Sequence, residues 1–415
     1  MSDVELRHLR FGFIPLNDSA PLIVAREQGF FETEGLSVDL SREASWANVR
    51  DKVAAGALDG AHMLGPMALA ASIGVGGERT PMTAPMALNL NGSAITLSKI
   101  VMEAMRAIDP VGMAVHPRTA RPLARLIDAR RALGERPLTF AVVFPYSMHN
   151  YMLRYWMAEG GIDPDADIRL VVTPPSRMAE KLCSGEIDGF CVSAPWNALA
   201  VSEGGGEVLV HASEFWNLGP DKVLGVTRAF ADRSPKALNA VVRALLKAAA
   251  WADDPANRPA LAVLLARRAY IDAPRDVVAQ SLPGAAAHPA RQPDPGPPDC
   301  LIYHRYAANF PWRSHALWFL TQMRRWGQIG AEVDIAAVAE AVYRPDLFRA
   351  AAAGLGEAAP AADDKVEGGH GRPWVLAQAG APIPMAPDLM FDGRVFDPRH
   401  LDRYERSFAV SRFRP

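Results

Sequence analysis

Twice in this chain an apolar run is halted by proline and followed by a polar turn, a helix-patterned stretch and a second strand. The first copy runs Leu9 to Pro15, which reads as a buried strand. Asn17, Asp18 and Ser19 follow, each able to cap a helix. Ala20 to Gly29 then carries apolar residues at helical spacing and ends on glycine, and Leu36 to Leu40 alternates as a strand should. The second copy opens with Leu138 to Pro145, turns through Tyr146, Ser147, His149 and Asn150, and reads as helix from Tyr151 to Glu159. Gly160-Gly161 ends that helix, and Ile168 to Val172 is the next strand. Strand, helix, strand in this order builds a parallel sheet. Ligands bind such sheets at the carboxyl ends of the strands, beside helix N-termini.

A short echo relates the two copies. Gly-Ala-Leu-Asp-Gly at 56–60 precedes Ala61-His62-Met63-Leu64, and Gly-Glu-Ile-Asp-Gly at 185–189 precedes Phe190-Cys191-Val192. Each reads as a helix end, a tight turn and a strand that stops near proline, at Pro66 and Pro195. The expected fold class is therefore α/β with two related lobes. Their junction makes a cleft, where small-ligand sites prefer to lie, and hinge closure supplies two states.

Composition narrows the function. With 415 residues there is room for two cores, and the 49% hydrophobic and 22% charged fractions are ordinary. A net charge of −2 gives no general pull toward nucleic acid or an anionic membrane. No stretch approaches the roughly 18 apolar residues that span a bilayer. The start, Met-Ser-Asp-Val-Glu-Leu-Arg-His-Leu-Arg, lacks the pattern of a secretory leader, so a cytoplasmic location is expected. Cys183, Cys191 and Cys300 cannot form a disulfide framework and read as small buried hydrophobes. Residues 98–137 read as a solvated, arginine-bearing helical insert, 288–300 as a proline-rich loop and 351–371 as a mobile Ala/Gly-rich stretch. The last residues read as a tail wrapping one lobe. There is no nucleophile elbow, phosphate loop, His-Glu-x-x-His or metal-spaced histidine pair. The chain is expected to be no enzyme, with no catalytic residues, no cofactor and no metal.

A small oxyanion such as nitrate is planar, singly charged and accepts hydrogen bonds only. Its site needs several donors, about one positive charge and a flat surface, with carboxylates kept away. Trp46, just after the second strand, offers an indole N–H and a flat face, or else packs in the core. Asn48 is placed to open a helix over Val49 to Ala55, turning backbone N–H groups toward an anion. His149 lies in the turn after the second-lobe strand, and Lys222 in the turn before Val223-Leu224-Gly225. Taken singly, a turn histidine is more often structural and a turn lysine more often solvated.

Read together, Gly12-Phe13-Ile14-Pro15-Leu16, Glu43-Ala44-Ser45-Trp46, Asp59-Gly60-Ala61-His62, Leu90-Asn91-Gly92, Leu153-Arg154-Tyr155-Trp156, Gly161-Ile162-Asp163-Pro164 and Trp251 to Arg258 resemble the NrtA/CmpA family of nitrate- and bicarbonate-binding proteins. The resemblance covers about residues 8–350. It implies a two-lobed, periplasmic-binding-protein-like (type II) fold with the ligand cleft between lobes. The expected division is 6–97 with 226–415 for lobe one and 98–225 for lobe two. It further implies that Trp46, a donor near Asn48, His149 and Lys222 contact the ion, with Ser93 where the transporter proteins carry glutamine. Serine is shorter, so a direct contact from Ser93 is doubtful. Bicarbonate binding in the family looks linked to calcium held by a carboxylate, and Lys222 argues for nitrate or nitrite instead.

With its leaderless start, the chain looks more like the soluble nitrate/nitrite sensors of the NasS–NasT type. That resemblance implies a NasT-like antiterminator protein as partner, released when ligand closes the lobes, with no direct nucleic-acid or membrane contact. The alternative is the substrate-binding component of an ABC transporter for nitrate or bicarbonate. An enzyme like thiamin-pyrimidine synthase, or a binder of sulfonates or nitrile-derived compounds, fits the residues less well.

Overall fold

The computed structural model describes residues 4–282 and 299–412. Most of the proline-rich stretch expected as a loop at 288–300, and the last residues of the tail, lie outside them. In chain order the strands are β1 (His8–Phe13), β2 (Ser37–Arg42), β3 (Gly60–Leu64), β4 (Met82–Ala87), β5 (Leu90–Asn91), β6 (Ser93–Ser98), β7 (Thr139–Val142), β8 (Arg169–Val172), β9 (Gly189–Ser193), β10 (Gly206–His211), β11 (Lys222–Thr227), β12 (Leu301–Ile302), β13 (Trp374–Leu376) and β14 (Ile383–Met385).

Two five-stranded sheets hold the lobes, ordered β2-β1-β3-β11-β4 and β10-β6-β9-β7-β8. In each, three adjacent strands run parallel, as the strand–helix–strand order predicts, and a fourth at the other edge runs the same way, separated from them by one antiparallel strand, β11 in the first sheet and β6 in the second. Helices cover both faces, which is why β3, β9 and β4 are buried along their whole length rather than alternating. The largest covering helix, Pro235–Asp253, packs along Ala20–Glu27.

The echo is structural. Gly60 and Gly189 open β3 and β9, and each lies against a neighbouring strand's phenylalanine. A Cβ at Gly60 would stand 2.7 Å from the Phe11 ring, and one at Gly189 2.8 Å from Phe140. Each glycine admits an aromatic ring at the same place in its sheet.

The lobes divide earlier than expected. Ser93–Ser98 pairs in the second sheet and Lys222–Thr227 in the first, so the chain crosses over at 88–92 and 212–221. An apolar run reads the same in either sheet, so pattern alone cannot place the crossing. The insert at 98–137 is helical, as Lys99–Ile108, Pro110–Ala114 and Arg121–Ala132. Among the cysteines only Cys191 is buried; Cys183 is exposed and Cys300 half-buried.

Residues 351–371 are better held than their composition suggests. Helix Pro345–Leu355 occupies the first part. Beyond it, Lys365 is ion-paired to Glu367 and, at 2.9 Å, to Asp388, where Trp216 Nε1 donates to Asp388 at 2.6 Å. The C-terminal tail then straddles both lobes. Tyr404 accepts from Trp318 at 2.9 Å on the first, while Asp392 accepts from Tyr155 at 2.7 Å and Arg412 pairs with Asp163 at 2.6 Å on the second. No helix among the described residues is long and apolar enough to cross a membrane.

Candidate functional site

The carboxyl ends of the parallel strands in both sheets converge on one buried polar cluster. In the first lobe the chain leaves β1 into a short 3-10 turn, Asn17–Ser19. Ser19 does not cap the next helix; its hydroxyl donates back to Leu16 O at 2.7 Å, and Asp18 points inward with no exposed surface. His62 sits mid-way along β3, also fully buried. Lys222 is the first residue of β11, paired in register with Leu64 at the end of β3. It is a strand residue with no solvent exposure, not a turn lysine.

The second lobe supplies the other half. Ser93 opens β6 and Ser193 closes β9, and the two are register partners. Ser147 caps helix Met148–Glu159 by accepting from the Asn150 N–H, which makes His149 the second helical residue rather than part of the turn. The Lys222 ammonium then ties the lobes together. Its Nζ donates to Asp18 at 2.7 Å, Asp221 at 2.5 Å and Ser193 at 3.0 Å. Ser193 in turn lies 2.9 Å from His149 Nε2. Ser93 is 3.2 Å from Ser193 and donates to Asp221 Oδ2 at 3.3 Å.

Trp46 borders this network. It is the first residue of helix Trp46–Ala54, and Ser45 caps that helix by accepting from the Asn48 N–H at 3.2 Å. The helix therefore begins at Trp46, not after Asn48. Asn48 is exposed and its backbone donor is used by the cap, so the structure does not bring it to the cluster. Trp46 is buried, with its ring 5.8 Å from Lys222 Nζ and 5.3 Å from the His62 ring. Its indole N–H has no hydrogen-bond partner among the described residues, and neither has His149 Nδ1. In the tautomer whose Nε2 accepts from the Ser193 hydroxyl, His149 Nδ1 is a donor like the indole N–H, and since buried donors are almost always satisfied, these two mark a place built for an acceptor.

The electrostatics differ from the expectation in one respect. Carboxylates were to be kept away, yet Asp18 and Asp221 both touch Lys222. The reason is that a fully buried ammonium needs counter-charge to remain ionised. Burial alone would lower the Lys222 pKa, but the two carboxylates outweigh it and hold it above its usual value. Burial pushes Asp18 up, and Lys222 and His62 more than reverse this, holding it far below the carboxylate range. Asp221 goes the other way, raised to about 6 because burial and the neighbouring Asp18 outweigh Lys222. Burial lowers both histidines, His149 strongly with help from Lys222, so both rings are neutral near pH 7. His62 Nε2 approaches Asp18 Oδ1 at 2.8 Å but without hydrogen-bond alignment.

Of the five positions singled out from the sequence, Ser93, His149 and Lys222 share one hydrogen-bonded network, Trp46 flanks it, and Asn48 stands apart. Asp18, His62, Ser193 and Asp221 went unnoticed. A histidine inside the apolar run Ala61-His62-Met63-Leu64 was the available signal for one of them. Among the described residues, no group of three or more His, Cys, Asp or Glu is placed to hold a metal ion.

The shut lobes meet elsewhere too. Trp196 donates to Pro15 O at 3.0 Å and the Asn17 N–H to Ala194 O at 2.8 Å, both across the junction. The glycine loop 74–77 leans on Tyr146 of the second lobe. Gly76 has φ +76°, and a Cβ there would lie 2.5 Å from the tyrosine ring.

Comparison with known proteins points the same way. The sequence matches the model of the NMT1-like family over residues 2–266. It is 33% identical over 411 residues to the nitrate/nitrite binding protein NrtA of Synechococcus elongatus, covering 96% of this chain and 86% of NrtA. It is 36% identical over 417 residues to the nitrate import ATP-binding protein NrtC of Synechocystis, covering 99% of this chain and 56% of NrtC. The chain thus spans about half the length of that relative. The crystal structure of the periplasmic nitrate-binding protein NrtA from Synechocystis superposes with a TM-score of 0.84 at 28% identity, covering 99% of this chain and 100% of that one. The two share one fold over the whole of both chains.

Proposed function

The chain belongs to the NMT1-like family and within it to the NrtA/CmpA group of nitrate-binding proteins, and on that premise we propose that its interlobe cluster holds one nitrate or nitrite ion. The observation that carries this reading is the pair of unsatisfied buried donors, Trp46 Nε1 and His149 Nδ1, on two side chains that border the buried Lys222 ammonium, one through its ring face and one through Ser193. A small planar acceptor meets three donor groups there and the face of an indole. Ser93 contributes indirectly, through Asp221 and Ser193, rather than by its own reach. Asn48 is left without a role in this reading. A thermal-shift series with nitrate, nitrite, chloride, sulfate, and bicarbonate plus calcium tests it. Nitrate or nitrite raises the melting temperature most if the reading holds; equal shifts from all of them overturn it.

The role of binding in the cell follows the relatives. Likeness to NrtA supports capture of the ion for an import system, with the lobes opening to hand it over. A second reading draws on NrtC, in which a region like this chain occurs within a protein named for binding ATP during nitrate import. ATP is an intracellular ligand, so a region like this chain joined to such a protein supports sensing on the cytoplasmic side. In that reading this chain is a cytoplasmic nitrate/nitrite sensor that releases a NasT-like antiterminator protein when the ion shuts the lobes. Ligand shifts that equilibrium only by binding the shut form better than the partner-bound one. Cell fractionation separates the two readings, and co-purification with the antiterminator, with and without nitrate, tests the second.

A further inference from the structure

Lys222 brings one positive charge to the cluster, and two carboxylates already outnumber it. Asp18 and Asp221 lie 2.7 Å and 2.5 Å from its Nζ, and all three side chains are sealed from solvent. An anion entering beside them adds a further negative charge in a place with little water to screen it. The other groups facing Asp221 do not offset that charge. Ser93 and Ser193 are neutral, and His62 and His149 are kept neutral by burial. Cys191, on β9, and Tyr343 both stay protonated, raised by burial and by Asp221 itself.

We propose that the site takes up its oxyanion together with one proton, and that the proton sits on Asp221. The inference rests on the nitrate/nitrite reading of the same site. Asp221 is singled out over Asp18 by geometry. Its Oδ2 accepts from Lys222 and Ser93 and lies 3.3 Å from the Ser193 oxygen, while its buried Oδ1 has no partner among the described residues. An unpartnered buried carboxylate oxygen is costly charged and cheap as a hydroxyl. Asp18 Oδ1 also lacks an aligned hydrogen bond, but a His62 ring nitrogen stands 2.8 Å from it and Lys222 holds the other oxygen at 2.7 Å. The balance is simple: one proton leaves the buffer for the Asp221 carboxylate, one nitrate enters, and the charge of the site is unchanged. Lys222 is then released from one of its two carboxylates and can turn its charge to the ion. A pKa near 6 for Asp221 sets the range in which this uptake operates.

The test is calorimetric titration with nitrate at pH 7.5 in Tris and in bis-tris, whose ionisation heats differ, repeated in suitable buffers from pH 5 to 8. The inference expects uptake of about one proton at pH 7.5, falling toward zero at pH 5, and affinity dropping about tenfold from pH 7 to 8. The Asp221→Asn variant, which cannot ionise there, should bind with no proton uptake and with affinity flat from pH 6 to 8. Nitrate binding without proton uptake in the wild-type protein overturns this inference and leaves the site assignment standing. Uptake that persists in Asp221→Asn puts the proton on another group and overturns the role of Asp221. No nitrate binding at any pH overturns the site assignment and this inference together. The wild-type measurement decides the first and last cases even if the variant fails to fold.

Discussion

Lys222 joins the two lobes through one atom, and its removal should be felt as stability before it is felt as affinity. Lys222→Met leaves Asp18 and Asp221 buried without their cation. Removing one partner of a buried pair costs about 3–5 kcal/mol, so urea unfolding should show a loss of that order. Adding Asp18→Asn to the same chain should restore part of the loss, since the stranded charge is then gone; no recovery in the double variant would mean the carboxylates do not depend on Lys222. Trp46 separates face from donor. Trp46→Phe keeps a flat ring and deletes the N–H, and the loss of one buried hydrogen bond of about 1–1.5 kcal/mol predicts roughly tenfold weaker nitrate binding by calorimetry. An unchanged affinity would return Trp46 to the core-packing role that its sequence position equally allowed.

At the scale of elements, closure is written into a loop and two caps. Ser45 and Ser147 each stop a strand-to-helix turn by accepting from the N–H three residues on, and so fix Trp46 and His149 at first and second helical positions. Gly76 is the contact of the first lobe with Tyr146. Gly76→Ala forces a side chain into left-handed backbone at a cost of about 1–2 kcal/mol, and in the shut form also into the tyrosine ring. Nitrate affinity should therefore fall by more than thermal stability does; an equal fall in both would show that the loop plays no part in closure.

These elements were largely legible beforehand. Proline-stopped apolar runs, capping residues and the Gly-x-x-Asp-Gly echo placed β1, β2, β3, β7, β8 and β9, because each signal is local. The site was legible only in part. His149, Lys222 and Trp46 stood out as odd residues at turns, aided by family resemblance. Asp18 read as a helix cap, and no local pattern singled out Asp221. What makes them matter is the approach of segments some two hundred residues apart, which no local pattern encodes. Asn48 failed for the opposite reason: its backbone N–H suits an anion until the Ser45 cap takes it.

Over the whole molecule, the C-terminal tail decides how the lobes can move. It grips helix Arg313–Arg325 on one side and the helix Met148–Glu159 region on the other, so opening must occur on the face away from it. Its buried anchor is Glu367, held between Lys365 and His315. Burial raises the Glu367 pKa, but Lys365 and His315 overcome this and bring it down to about 2, against 4.5 for a free glutamate. A depressed carboxylate stabilises fully above its unfolded value and loses that contribution as pH falls through the folded one. The tail should stay docked above about pH 4.5 and loosen between there and pH 2. Hydrogen exchange over 360–396 checks this, and Glu367→Gln should show the loosened pattern already at pH 7.

The account as a whole stands on the claim that the buried junction is an oxyanion site, and calorimetric titration of the unaltered protein with nitrate at pH 6 tests that most directly. The prediction is saturable one-to-one binding that survives excess chloride and owes nothing to calcium. The absence of a binding heat for nitrate and for nitrite, together with a calcium-dependent one for bicarbonate, would contradict it.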